Sequence, residues 1–131
     1  MQKEIIVTRA APAAVGPYSQ AVRVGELVFT AGQIGIDPKT GKLVEGLVAQ
    51  TRQVLANLKA VLEAAGSGCD QIVKTTIYLT DIKEFHTVNA IYGDFFQEDP
   101  PARSTVEVAH LPLNALVEIE AVALTSAPSR T

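Results

Sequence analysis

Val117-Glu118-Ile119-Glu120-Ala121-Val122-Ala123-Leu124 sets two acids into an apolar run, the pattern of a strand whose alternate side chains share a face. Shortly before it, Pro101-Ala102-Arg103-Ser104-Thr105-Val106-Glu107-Val108 is a near-neutral strand-like run carrying a single arginine. The loop at 109–115 lets the two strands pair antiparallel. Arg103 would then share a face with Thr105 and Glu107, and Glu118 with Glu120. A register in which paired positions sum to an odd number puts the arginine and the acids on one side. An even sum separates them. By spacing alone, an ordinary Arg–Glu cross-strand salt bridge is the commoner outcome for such a pair.

Upstream, residues 5–8 read as a first strand, followed by an Ala/Pro loop that ends in Gly16-Pro17-Tyr18-Ser19-Gln20. Ala21–Val24 and residues 27–31 flank Gly25-Glu26, a pair suited to a type II′ hairpin. Asp37-Pro38-Lys39-Thr40-Gly41 is a strong turn signal. Residues 47–65 place Leu47, Val54, Leu55, Leu58, Val61, Leu62 and Ala65 at helical spacing, with Gly66 as a stop. Ile72–Leu79 is β-branched and alternating. Asp81 and Glu84 form a candidate capping box for a second helix, whose stripe is Phe85, Val88, Ile91, Tyr92, Phe95 and Phe96.

The predicted order is β-ββ-α-β-α-ββ, an α+β domain over residues 1–131 with a sheet covered by helices on one face. The other face is expected to carry polar and small residues such as Thr76, Tyr78, Thr105 and Ala121, and to pack against copies of itself.

Composition excludes several functions. The 131 residues are 47% hydrophobic and 19% charged with a net charge of −3, and no Lys/Arg run is available to neutralise phosphates, which argues against a nucleic-acid partner. Cys69 is the only cysteine, so an internal disulfide or cysteine-cluster metal site is out of reach, and an inert thiol is expected. His86 and His110 lack metal-ligand spacing. There is no G-x-S-x-G, Walker or G-x-G-x-x-G motif, so neither metal nor cofactor is expected. The N-terminus turns polar too early for a signal peptide, and no apolar stretch approaches the ~20 residues of a membrane span, so a cytoplasmic protein is expected.

Five ordered motifs resemble those of one family. Ala14-Val15-Gly16-Pro17-Tyr18-Ser19-Gln20, Thr30-Ala31-Gly32-Gln33-Ile34, Thr87-Val88-Asn89, Pro101-Ala102-Arg103-Ser104 and Val117-Glu118-Ile119-Glu120-Ala121 match the reactive intermediate deaminases, the Rid or YjgF family. The resemblance implies a chorismate-mutase-like α+β fold, a mixed sheet with two helices on one face, and a homotrimer with clefts between subunits. It also implies hydrolysis of 2-enamino and 2-imino acids such as 2-aminoacrylate to 2-keto acids and ammonia. Carried over by position, Arg103 grips the substrate carboxylate, Glu118 positions water or moves protons, and Tyr18 lines the pocket. Ala31, Gly32, Asn89 and Thr105 fall at further substrate-binding positions, and Glu120 is a secondary, structural acid. The chain departs from the family pattern at Thr105, where many members have Cys, and at Ala31, where many have Ser. Pro100 stands where an aromatic residue often precedes the proline before the arginine. Two other functions remain open: a keto-acid or amino-acid binding module without turnover, and an RNA-directed activity, against which the acidic charge speaks.

Overall fold

Gly25 takes a φ of +59°, and the next residue, Glu26, does not. That is the signature of a type II′ turn, and it folds strand β2 (Ala21–Val24) back onto β3 (Leu27–Thr30). The computed structural model from which this geometry comes describes residues 2–125; residue 1 and residues 126–131 of the expected domain lie outside it. Strand β1 (Lys3–Ile6) pairs antiparallel with β2, beginning and ending two residues earlier than the sequence suggests.

The Asp37–Gly41 turn closes a small hairpin of β4 (Ile36–Asp37) and β5 (Lys42–Leu43) that periodicity does not reveal. Asp37 Oδ1 accepts the Lys39 N–H at 2.8 Å, and Gly41 sits at φ +74°.

Helix α1 (Leu47–Ala64) stops as predicted at Gly66, whose φ is +79°. The Ser67 N–H returns to the Leu62 carbonyl at 2.8 Å and the Gly66 N–H to that of Glu63 at 3.1 Å, the two bonds of a Schellman cap. Strand β6 (Ile72–Leu79) follows. Asp81 does cap, but it caps a short 3₁₀ turn (Ile82–Glu84) by accepting the Lys83 N–H at 3.0 Å. Helix α2 (Phe85–Phe95) begins only after that turn, with no side-chain cap of its own.

The last two strands, β7 (Ala102–Glu107) and β8 (Val117–Leu124), are not neighbours. The six-stranded sheet runs β1-β2-β3-β8-β6-β7, and every pair is antiparallel except β6 with β7. The physical reason is α2: a strand–helix–strand crossover returns the chain parallel to the strand it left. β7 therefore takes the edge beside β6, and β8 inserts between β6 and β3. The odd-or-even choice for a β7–β8 pair does not arise.

Both helices cover one face. Val28, Ile77, Val117, Ile119 and Ala123 point into it and meet Val54, Leu58, Val61 and Leu62 of α1 and Val88 of α2. Thr105 and Ala121 lie on this covered face, level with Ile77 and Thr75 of β6, rather than on the open face expected for them. Thr76 and Tyr78 do face the open side, which also presents Ile5, Leu27, Phe29, Val106 and Leu124, each at least 38% exposed. Among the described residues no helix is long and apolar enough to cross a membrane.

Candidate active site

Glu118 and Glu120 rise from the open face of β8, level with Tyr78 and Thr76 of β6. Glu120 is engaged, because the Tyr78 hydroxyl donates to its Oε1 at 3.0 Å. Glu118 has no hydrogen-bond donor among the described residues and is only partly exposed. Burial first, and the Glu120 charge second, push its carboxyl above the ordinary value.

Gly32 makes this placement possible. Beyond the end of β3, Gln33 exchanges two backbone bonds with Ile119, at 2.9 and 3.1 Å, which draws the chain across Glu118. A Cβ on Gly32 would strike the Glu118 Oε2 and come within 2.7 Å of its Cδ. Glycine is needed here for room rather than for its φ range.

Tyr18 reaches the same place from the N-terminal loop. Its N–H donates to the Gly16 carbonyl at 2.8 Å, and its hydroxyl accepts the Val15 N–H at 3.4 Å. The loop is pinned by buried Gln20, whose amide donates to Thr8 and Pro12 carbonyls at 3.0 and 2.8 Å. Tyr18, Gly32 and Glu118 line one cavity of about 240 Å³ whose remaining walls are largely apolar. Ala31 is not part of that lining; its N–H is spent on the Gln20 carbonyl at 2.9 Å.

The second cluster is on the covered side. Arg103 Nη1 donates to Asn89 Oδ1 at 2.8 Å, and the guanidinium lies 5.2 Å from the Phe85 ring centre and 4.8 Å from that of Tyr92. Tyr92 is itself fixed by a 2.6 Å bond between its hydroxyl and that of Thr75. Among the described residues no carboxylate pairs with Arg103, so the expected salt bridge is absent and most of the guanidinium fork is free. Two residues on, the Thr105 hydroxyl is buried without a hydrogen-bond partner among the described residues, and such a group commonly awaits a ligand or water.

The structure thus unites Tyr18, Gly32 and Glu118, and separately Arg103, Asn89 and Thr105, on opposite faces of one sheet. Sequence reasoning overlooked the aromatic clamp, having assigned Phe85 and Tyr92 to the core stripe. The signal was present: positions 85, 89 and 92 share a helix face, with Asn89 between two rings. Cys69 matches expectation, its thiol pushed up to about 11, chiefly by burial.

A family model described as endoribonuclease L-PSP matches residues 8–125. The 2-iminobutanoate/2-iminopropanoate deaminase of Salmonella typhimurium is 53% identical over 122 residues, covering 91% of this chain and 95% of that protein. The chloroplastic reactive intermediate deaminase A of Arabidopsis thaliana is 51% identical over 124 residues, covering 94% and 66% of the two chains. Among solved structures, Yersinia pestis YyfA, described as a protein of unknown function of the conserved Rid family, superposes with a TM-score of 0.93 at 52% identity. That match covers 95% of this chain and 100% of YyfA.

Proposed function

The chain belongs to the endoribonuclease L-PSP family, also known as the YjgF or Rid family, and on that premise we propose that it hydrolyses 2-enamino and 2-imino acids to 2-keto acids and ammonia. The observation that carries this reading is Arg103, held against two rings and by Asn89 yet unpaired with any acid among the described residues. A planar fork so prepared suits a carboxylate, and the Thr105 hydroxyl beside it offers a further polar contact.

With the carboxylate held, the imine carbon is already electrophilic. On the protonated imine, water adds to C2 while Glu118 accepts one of its protons, giving a neutral carbinolamine. Glu118 returns that proton to nitrogen, and as the C–N bond breaks the hydroxyl gives its own proton to the Glu118 carboxylate, so that ammonia leaves with the 2-keto acid as product. A carboxyl held above its ordinary pKa is suited to both transfers. An enamine first takes a proton at C3 to become the imine. Positioning and acid–base help suffice for this chemistry.

Arg103 and Glu118 belong to one pocket only if two copies of the chain meet. The assembly proposed is the homotrimer, its clefts combining Arg103, Asn89 and Thr105 of one protomer with Tyr18, Gly32 and Glu118 of another. The apolar residues of the open face favour such packing. A binding module without turnover would use Arg103 equally well but gains nothing from Glu118. An amino-acid oxidase supplying 2-iminopropionate or 2-iminobutyrate, with disappearance of the imine followed, tests the proposal. Hydrolysis no faster than in buffer would refute it.

A further inference from the structure

The loop before β8 holds two consecutive left-handed residues, Leu113 at φ +57° and Asn114 at φ +58°. Asparagine tolerates this conformation, but for leucine it is an outlier that the surroundings must enforce. They do so from both sides. The Asn114 and Ala115 N–H groups bond the Leu111 and Pro112 carbonyls at 3.2 and 3.0 Å, Ala115 is buried, and the Leu116 N–H donates to buried Gln50 Oε1 at 2.8 Å. The strain serves no core packing, since Leu113 remains 66% exposed.

What the strained backbone does achieve is to place Leu113 in the lining of the Glu118 cavity, together with Ala13, Val15, Ile34, Ile36 and Pro112. Glu118 is the only charged residue among the described residues lining that cavity. An apolar wall on one side of a proton-transferring carboxylate is where a substrate's side chain, rather than its carboxylate, belongs.

We propose that Leu113, held left-handed at the cavity mouth, is a specificity-determining wall that favours 2-imino acids with longer apolar side chains. This rests on the deaminase reading above. Removing contact with one or two methylenes in an apolar pocket typically changes selectivity by tenfold or more.

The test compares wild type with Leu113→Gly, which suits the same φ and should fold with an unchanged or raised Tm. Imines are generated by amino-acid oxidase from alanine and from leucine, and the ratio of their kcat/KM values is measured. Binding of 2-oxopropanoate and 4-methyl-2-oxopentanoate is followed in parallel by calorimetry. The expected result is a fall of about tenfold in the leucine-to-alanine ratio, matched by a fall in the relative affinity of the longer keto acid. Turnover with a chain-length profile the same in both proteins overturns the role of Leu113 and leaves the deaminase reading standing. Absence of turnover, with the binding preference still shifted by the variant, overturns the deaminase reading but upholds the wall. Neither turnover nor keto-acid binding overturns both.

Discussion

Arg103 and Glu118 leave opposite faces of one sheet: Arg103 stands level with Thr75 of β6 on the helix-covered side, while Glu118 stands level with Tyr78 on the open side. No rotamer brings side chains around a sheet, so within one chain the cation and the acid cannot share a pocket. A second copy of the chain is needed to bring the two together.

Arg103→Ala removes the fork proposed to hold the substrate carboxylate. A bidentate, charge-assisted contact supports an expected loss in kcat/KM of about 100-fold. Arg103→Lys should recover little of it, because an ammonium cannot span both oxygens from between the Phe85 and Tyr92 rings. Steady-state kinetics on 2-iminobutyrate decides this, and near wild-type kinetics for either variant would count against the carboxylate anchor.

Glu118 should govern the acid limb of the pH–rate profile. Its pKa is raised by burial and by Glu120, so kcat/KM rises with pH through a value above that of an ordinary carboxylate. Glu120→Gln removes the like charge and should move the limb to lower pH. For stability the sign is opposite: a carboxyl whose folded pKa lies above its unfolded one binds its proton more tightly when folded. Its contribution is fully present below the unfolded pKa and is lost as pH rises through the folded pKa. Glu118→Gln should therefore raise Tm at neutral pH while abolishing turnover, and thermal melts at pH 4 and pH 7 should show the gain only at the higher pH.

Gly32→Ala tests the closeness of the chain to Glu118. The added methyl meets Oε2 and Cδ of that side chain, so the carboxylate must swing out of place or the loop must lift. Because the atoms met belong to the end of a flexible side chain, stability should change little, while the displaced carboxylate should cost about tenfold or more in kcat. Denaturant titration and kinetics on the same preparation read both, and an unperturbed kcat would contradict the packing described.

Tyr92→Phe separates the two ends of one side chain. The ring beneath Arg103 remains, but the buried Thr75 hydroxyl loses its 2.6 Å partner. Stability should fall by about 1–2 kcal/mol, measured as a lower midpoint in urea without a change in slope.

The elements themselves were largely legible, because each rests on local chemistry: the Gly25 hairpin, the Gly66 stop, the alternation through β6. Their arrangement was less so. Reading the strands around residues 103 and 118 as a hairpin followed from their nearness in sequence. The crossover through α2 instead sends β7 to the edge and leaves β8 in the middle. Thr105 and Ala121 were assigned to the wrong face, although Ala121 alternates in step with buried Val117, Ile119 and Ala123, and Thr105 stands level with buried Ile77. At the candidate site, motif resemblance pointed to Arg103, Glu118, Tyr18, Gly32 and Asn89, but the rings of Phe85 and Tyr92 looked like core alone. Their second role depends on an edge strand whose position no local pattern reports. Leu113 was invisible, since nothing in Leu111-Pro112-Leu113-Asn114 announces a left-handed leucine.

Complementation between two inactive variants shows whether Arg103 and Glu118 meet across protomers. Arg103→Ala and Glu118→Gln proteins are mixed in equal amounts, unfolded, refolded together and assayed on 2-iminobutyrate. In a ring of heterologous contacts assembled at random, about one site in four receives both intact residues, so roughly a quarter of wild-type activity should return. Activity no greater than the sum of the two parents, in a mixture shown to have exchanged subunits, would contradict the account.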